Sequence, residues 1–203
     1  MDAQQWEDRY RDTDQLFSGA PNGVLVTEVT DLPPGRALEV GCGEGGDSHW
    51  LARQGWQVTA VDVAQTALDR GAAALRDTDL ADRVTWERAD LTTTAPAPDA
   101  FDLVTAHYFP LTRDPDHTAL RGLLAAVAPG GTFLFAGHDL SDLPPAPERD
   151  FDPDAYYQPA DIARLLDDDW TIEINETRPR TTPAPPGTHH RHDTVLRARR
   201  REG

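Results

Sequence analysis

Leu38-Glu39-Val40-Gly41-Cys42-Gly43-Glu44-Gly45-Gly46-Asp47 joins an apolar run to a helical pattern, and its reading decides the fold. Glycines at 41, 43 and 45 let the backbone turn tightly and approach a ligand closely. Just upstream, Arg36–Val40 reads as a buried strand, and further strands are expected at 57–61, Val84–Arg88, 101–106 and 132–136. Helical patterns lie between them. The clearest covers 116–128: Asp114 is a candidate N-cap, Pro115 sits near the first turn, and Leu120, Leu123, Leu124 and Val127 recur at helical spacing. Pro129-Gly130-Gly131 is expected to stop it. Strand and helix alternate, which implies parallel pairing through crossover helices and a doubly wound α/β sheet.

The flanks differ from this core. Residues 2–31 read as two polar helices separated by Gly19-Ala20-Pro21-Asn22. Residues 140–153 are rich in Pro and Asp and read as a surface loop, followed by a helix at 159–166 with Ile162, Leu165 and Leu166 on one face. Two more strands are expected at 171–177 and 194–200, and the connection between them carries four prolines and no helical pattern. Strands joined without a helix should pair antiparallel. The expected sheet therefore has seven strands and ends in a hairpin.

Composition narrows the function. The chain has 203 residues, 35 acidic against 19 basic, for a net charge of −16. That balance argues against binding to nucleic acid or to an anionic membrane surface. All the basic residues are Arg; the absence of Lys excludes Schiff-base chemistry and a Walker-type phosphate lysine. The lone Cys42 cannot form an internal disulfide, and the polar start of the chain carries no signal-peptide pattern. A cytoplasmic protein with no membrane partner is the expectation.

The glycine loop alone leaves its ligand open. Gly41, Gly43 and Gly46 satisfy a dinucleotide pattern, and Asp62 follows Gly41 by 21 positions at the end of the second strand. A carboxylate there can accept the ribose hydroxyls of any adenosine ligand and would repel a 2′-phosphate, which disfavours NADP. An NAD-dependent oxidoreductase is one reading of these residues.

A longer ordered set supports another. Glu39-x-Gly41-x-Gly43-x-Gly45 resembles the first motif of class I S-adenosylmethionine-dependent methyltransferases. Asp62 matches that family's ribose-holding acid, Ala89-Asp90-Leu91 resembles its adenine-contacting segment, and Phe101-Asp102-Leu103-Val104 resembles its fourth-strand motif. Pro129-Gly130-Gly131 and the C-terminal strand pair complete the order. Trp6-Glu7-Asp8-Arg9-Tyr10 is similar to the opening helix of the small-molecule branch that includes tellurite-resistance and thiopurine-type enzymes.

The resemblance implies a Rossmann-like fold, mostly parallel with a C-terminal antiparallel hairpin. It divides the chain into an N-terminal helical lid, 1–31, and a methyltransferase domain, 32–203. It implies S-adenosyl-L-methionine as cofactor, S-adenosyl-L-homocysteine as product, and a small-molecule acceptor, with the protein a monomer or homodimer. Carried over residue by residue, it places cofactor contacts at Trp6, Arg9, Tyr10, Glu39, Gly41, Cys42, Gly43, Gly45, Asp62, Val63, Asp90, Leu91 and Ala106. The remaining alternative within this fold is a binding protein without turnover.

Methyl transfer from a sulfonium is an in-line displacement, so alignment dominates and supplies roughly 7–11 kcal/mol. A base helps only where the nucleophile arrives protonated. His107, past the fourth strand, and His138, past the fifth, are the candidate catalytic residues at the edge where substrates sit; a hydrogen-bonded structural role is the alternative for each. Tyr108 and Phe109 are candidates for stacking on an acceptor. His189-His190-x-His192-Asp193 lies in a Pro-rich loop with no second pair at ligand spacing, so no metal is expected.

Overall fold

The computed structural model describes residues 2–144, 151–182 and 190–202. Its elements are α1 (Ala3–Arg11), α2 (Gly23–Val29), β1 (Arg36–Val40), α3 (Gly46–Arg53), β2 (Gln57–Asp62), α4 (Gln65–Leu75), β3 (Val84–Arg88), β4 (Phe101–His107), α5 (Thr118–Ala126), β5 (Val127–His138), α6 (Pro159–Leu165), β6 (Trp170–Pro179) and β7 (His192–Arg200). The strands form one sheet in the order β3-β2-β1-β4-β5-β7-β6. The first five pair in parallel, and β7 runs antiparallel to both β5 and β6. The expected doubly wound sheet with an antiparallel end is the observed one.

Local chemistry explains where elements begin. Asp2 opens α1 with a reciprocal cap: its Oδ1 accepts from Gln5 N at 2.9 Å, and its own N–H reaches Gln5 Oε1 at 2.8 Å. Asp114, expected as the N-cap, lies three residues before the observed N-cap of α5, His117, yet its Oδ1 accepts from Thr118 N at 2.9 Å and Asp116 N at 3.1 Å. That helix starts later than the sequence suggests because His117, in the left-handed region at φ 54°, precedes it.

One expectation is corrected. Pro129-Gly130-Gly131 does not form a free turn after α5. The chain extends from Val127 directly into β5, and pairing with β4 jumps from Phe101–Val127 to Leu103–Thr132. The extra residues form a bulge in which Gly130 takes φ 77°, a conformation glycine adopts without strain.

Two apolar layers sandwich the sheet. One gathers Val40, Val104, Leu120, Leu123, Phe133 and Phe135 under α5 and α6; the other gathers Leu25, Leu51, Trp56, Leu68 and Leu134 under α2, α3 and α4. Helix α2, expected to be polar, instead buries Val24, Leu25 and Val29, and Glu28 fastens it, its carboxylate meeting Arg178 at 2.7 Å and Arg197 at 3.1 Å. Among the described residues no helix is long and apolar enough to cross a membrane.

Candidate functional site

Strand order reverses between β1 and β4, and the crevice beyond their carboxyl ends is where open α/β sheets bind ligands. The glycine loop sits at that point. Gly41, Gly43 and Gly45 all take the left-handed conformation, with φ of 69°, 53° and 82°. Any other residue there would be strained, and a β-carbon on Gly43 would also lie 2.8 Å from the Tyr10 hydroxyl.

The loop's amides decide what kind of ligand it suits. Gly41 N and Cys42 N both donate to Val61 O, at 2.9 and 3.0 Å. Gly43 N donates to Asp62 Oδ2 at 2.9 Å, and Gly45 N to Cys42 O at 3.0 Å. A pyrophosphate needs such N–H groups turned toward it, and here these four are spent within the protein. The surroundings point the same way: Glu39, Asp47 and Asp62 are buried beside the loop. Acidic groups around the loop disfavour a phosphate and suit a ligand carrying ammonium or sulfonium charge.

Asp62 ends β2 with one bond to each oxygen, from Gly43 N and from Ala64 N at 2.9 Å, which leaves acceptor capacity on both. Burial raises its pKa against the pull of those amide bonds. Glu39, on β1, is buried and accepts a hydrogen bond from the Ser48 hydroxyl. Burial, and then the charge of Asp47, push the Glu39 carboxyl well above the usual carboxylate range. Burial likewise raises the Cys42 thiol, whose Sγ lies 3.7 Å from Gly43 O; it is no thiolate nucleophile.

The other sequence-derived residues are placed as follows. Tyr10 is buried over Gly43, Trp6 packs 6.1 Å from its ring centre, and the Arg9 guanidinium lies 5.4 Å over the Trp6 ring. Asp90 is exposed and caps the turn after β3, accepting from Thr92 N at 2.9 Å. Leu91 and Ala106 are buried in the core, and Val63 O accepts from Arg88 at 3.0 Å.

His107 closes on Asp47, with 2.9 Å between Nδ1 and Oδ2 and both side chains buried. That contact fits the hydrogen-bonded structural role given as its alternative. His138 stays half-buried, stacked 4.3 Å from the Tyr108 ring. Burial, followed by the charges of His190 and Arg180, depresses His138 to about 3, so it is a neutral imidazole at physiological pH. His49 Nε2 donates to Gly71 O at 2.9 Å and packs edge-on against Trp86, a structural role. His189 lies outside the described residues.

Four functional-looking side chains were not evident in the sequence. Glu44 accepts from Leu16 N at 3.1 Å and Phe17 N at 3.0 Å and pairs with Arg70 at 2.9 Å. Arg70 in turn reaches Tyr10 O at 2.9 Å. Asp47 and Arg180 are the others, and each acts through partners far away in the chain.

Residues 37–131 match a family model described as a methyltransferase domain. A stretch of 128 residues, 61% of this chain and 46% of the relative, is 32% identical to trans-aconitate 2-methyltransferase of Rhizobium meliloti. A shorter stretch of 51 residues, 25% of this chain, is 43% identical to ribosomal RNA small subunit methyltransferase C of Alcanivorax borkumensis, of which it covers 16%. The chain thus spans less than half the length of either curated relative. Over their full lengths, this chain and N-methyltransferase NodS of Bradyrhizobium japonicum, crystallised with S-adenosyl-L-homocysteine, superimpose with a TM-score of 0.70 at 18% identity.

Proposed function

We propose, from the premise that residues 37–131 form a methyltransferase domain, that the protein moves a methyl group from S-adenosyl-L-methionine to a small-molecule O, N or S nucleophile. The observation that carries this reading is the glycine loop. The amides of Gly41, Cys42, Gly43 and Gly45 are consumed internally and the loop's neighbours are acidic, which suits a cationic adenosine ligand better than a dinucleotide pyrophosphate.

When bound, S-adenosyl-L-methionine supplies an electrophilic methyl group on a sulfonium that leaves as a neutral thioether. The residues of this chain bind and orient. Asp62 offers its remaining lone pairs to the ribose hydroxyls. Glu39, next to the loop, serves the amino end of the methionine moiety. Asp90 and Leu91 border the adenine, with Gly41, Cys42, Gly43, Gly45, Val63 and Ala106 shaping the cleft. Trp6, Arg9 and Tyr10, within the segment 1–31, close over it as a lid and exclude water. Tyr10 already sits over Gly43, which supports that assignment.

The two histidines have different parts. His138 faces the acceptor side as a neutral imidazole; with its pKa depressed to about 3 it is a weak base and works chiefly by hydrogen bonding. His107 positions Asp47 and through it the start of α3. The net charge of −16 supports a small free acceptor over a nucleic acid.

Calorimetry decides between cofactors. S-adenosyl-L-homocysteine should bind with a dissociation constant in the micromolar range, on the order of −8 kcal/mol, while NAD should give no measurable heat. Tight NAD binding without S-adenosyl-L-homocysteine binding overturns the reading.

A further inference from the structure

Beyond the proposed cofactor contacts, a second polar cluster gathers at the carboxyl ends of β4 and β5. Tyr108 Oη donates to Asp193 Oδ1 at 2.8 Å, and Arg180 Nη1 donates to the same oxygen at 2.7 Å. The guanidinium carbon lies 5.0 Å from the Tyr108 ring centre, and His138 stacks on that ring. Tyr108 is held at φ 54°, a left-handed conformation that costs energy in a non-glycine residue and concentrates at functional sites. The next residue, Phe109, covers Gly41, where a β-carbon would come within 2.6 Å of its ring. The cluster therefore adjoins the glycine loop.

Hydrogen-bond accounting leaves this cluster with donors in excess. Arg180 Nη1 also lies 3.5 Å from His138 Nδ1. A guanidinium only donates, so Nδ1 accepts and the ring proton sits on Nε2. The Tyr108 proton is spent on Asp193. Arg180 is 8% exposed, and its Nε is buried with no hydrogen-bond partner among the described residues. A buried donor without an acceptor is costly, and a ligand oxygen relieves that cost.

The charges around the cluster favour an anionic oxygen. Two carboxylates face it. Asp193 is engaged by Tyr108 and Arg180, and Asp142 by the backbone N–H groups of Arg191 and His192, each at 2.7 Å. At His138 both His190 and Arg180 act against a proton on the ring, and Asp142 acts for it.

We propose that Arg180 Nε–H and His138 Nε2–H hold a carboxylate of the methyl acceptor, which makes the acceptor an organic acid anion. The word acceptor rests on the methyltransferase reading; the carboxylate site does not. Entry requires the His190 ring, stacked on His138 at 3.5 Å, to move aside.

The test follows the histidine ring signals by nuclear magnetic resonance while the full chain is titrated with propionate or with its uncharged counterpart propionamide. Each titration is run with and without S-adenosyl-L-homocysteine. Propionate should shift the His138 signals saturably, and propionamide should bind at least about tenfold more weakly. Arg180→Gln should weaken propionate by about tenfold or more and leave S-adenosyl-L-homocysteine binding intact. Equal affinity for the two probes, or no saturable shift with propionate, overturns the site. The comparison of probes on the unsubstituted protein stands even where Arg180→Gln does not fold. Failure of S-adenosyl-L-homocysteine to bind, with propionate still bound, removes the methyltransferase reading and keeps the carboxylate site.

Discussion

Asp47 and His107 form a buried pair that locks the start of α3 to the end of β4, with 2.9 Å between Oδ2 and Nδ1 and side-chain exposures of only 3% and 2%. Asn22 completes the enclosure, donating to Asp47 through its backbone N at 2.6 Å and its side-chain amide at 2.9 Å. Burial works to raise the Asp47 pKa, but hydrogen bonds from His107 and Asn22 outweigh it and hold the carboxyl below the usual range. Glu39, close by, goes the other way through burial and the Asp47 charge. The two neighbouring carboxyls are therefore shifted in opposite directions.

Removing the ionised partner should be expensive. Asp47→Ala removes the buried carboxylate that His107 Nδ1 and the Asn22 amides share and should lower unfolding free energy by about 3–5 kcal/mol. Urea denaturation at neutral pH measures this. A lowered folded pKa contributes stability above the unfolded value and loses it as pH falls through the folded one. The gap between the two proteins should then narrow from about pH 4 downward. A loss within about 0.5 kcal/mol, typical of a surface change, would show that the pair contributes little.

Glu39→Gln should reveal the opposite sign. A raised carboxyl binds a proton in the folded state that the unfolded state has released. Its contribution is therefore complete below the unfolded pKa and lost as pH rises through the folded one. Over the range above about pH 4.5 the unsubstituted protein should lose stability relative to Glu39→Gln. Parallel stability curves across that window would mean that Glu39 ionises normally.

These two residues show what the sequence could and could not disclose. The glycine loop, Asp62 and the strands were legible because each depends on local pattern: apolar runs, spacing and turn residues. Glu39 was legible because an acid on a core strand demands a reason. Asp47 was not, since an acid in the first turn of a helix is explained well enough by the helix dipole. Its partner His107 lies in a distant strand. Tyr108, Arg180 and Asp193 converge from three elements, and no spacing announces that meeting. The Pro129-Gly130-Gly131 turn misled because a bulge and a helix stop use the same residues.

Asp62→Ala should weaken S-adenosyl-L-homocysteine binding by roughly 1.5–3 kcal/mol. The structure adds a second reason for the loss: the carboxylate also holds Gly43 N and Ala64 N, so the loop loosens with it. Hydrogen exchange at Gly43 and Ala64 separates the two effects, rising wherever the loop is released. An unchanged affinity in calorimetry would take Asp62 out of the site.

The N-terminal segment offers the last test. Residues 2–17 carry few apolar side chains, chiefly Trp6, Tyr10, Leu16 and Phe17, so burial alone would dock them weakly. The structure fastens them with polar contacts instead. Glu7 accepts from Thr66 N at 3.2 Å and meets the Thr66 hydroxyl at 2.6 Å; Arg70 holds Tyr10 O; Glu44 holds the amides of Leu16 and Phe17. Each anchor lies on α4 or on the glycine loop itself, so the strap and the loop are one mechanical unit. Phe17 is still half exposed and could gain cover from a ligand in the cleft. Deleting residues 1–17 should leave the seven-stranded core folded, because every strand lies downstream. It should weaken S-adenosyl-L-homocysteine by about tenfold or more, through loss of the cover over Gly43. In the full chain, hydrogen-exchange protection of residues 5–12 should rise when S-adenosyl-L-homocysteine is added, since these contacts open locally at modest cost and a ligand beneath them shifts that equilibrium. A truncated protein that binds as tightly as the full chain reduces Trp6 and Tyr10 to packing residues.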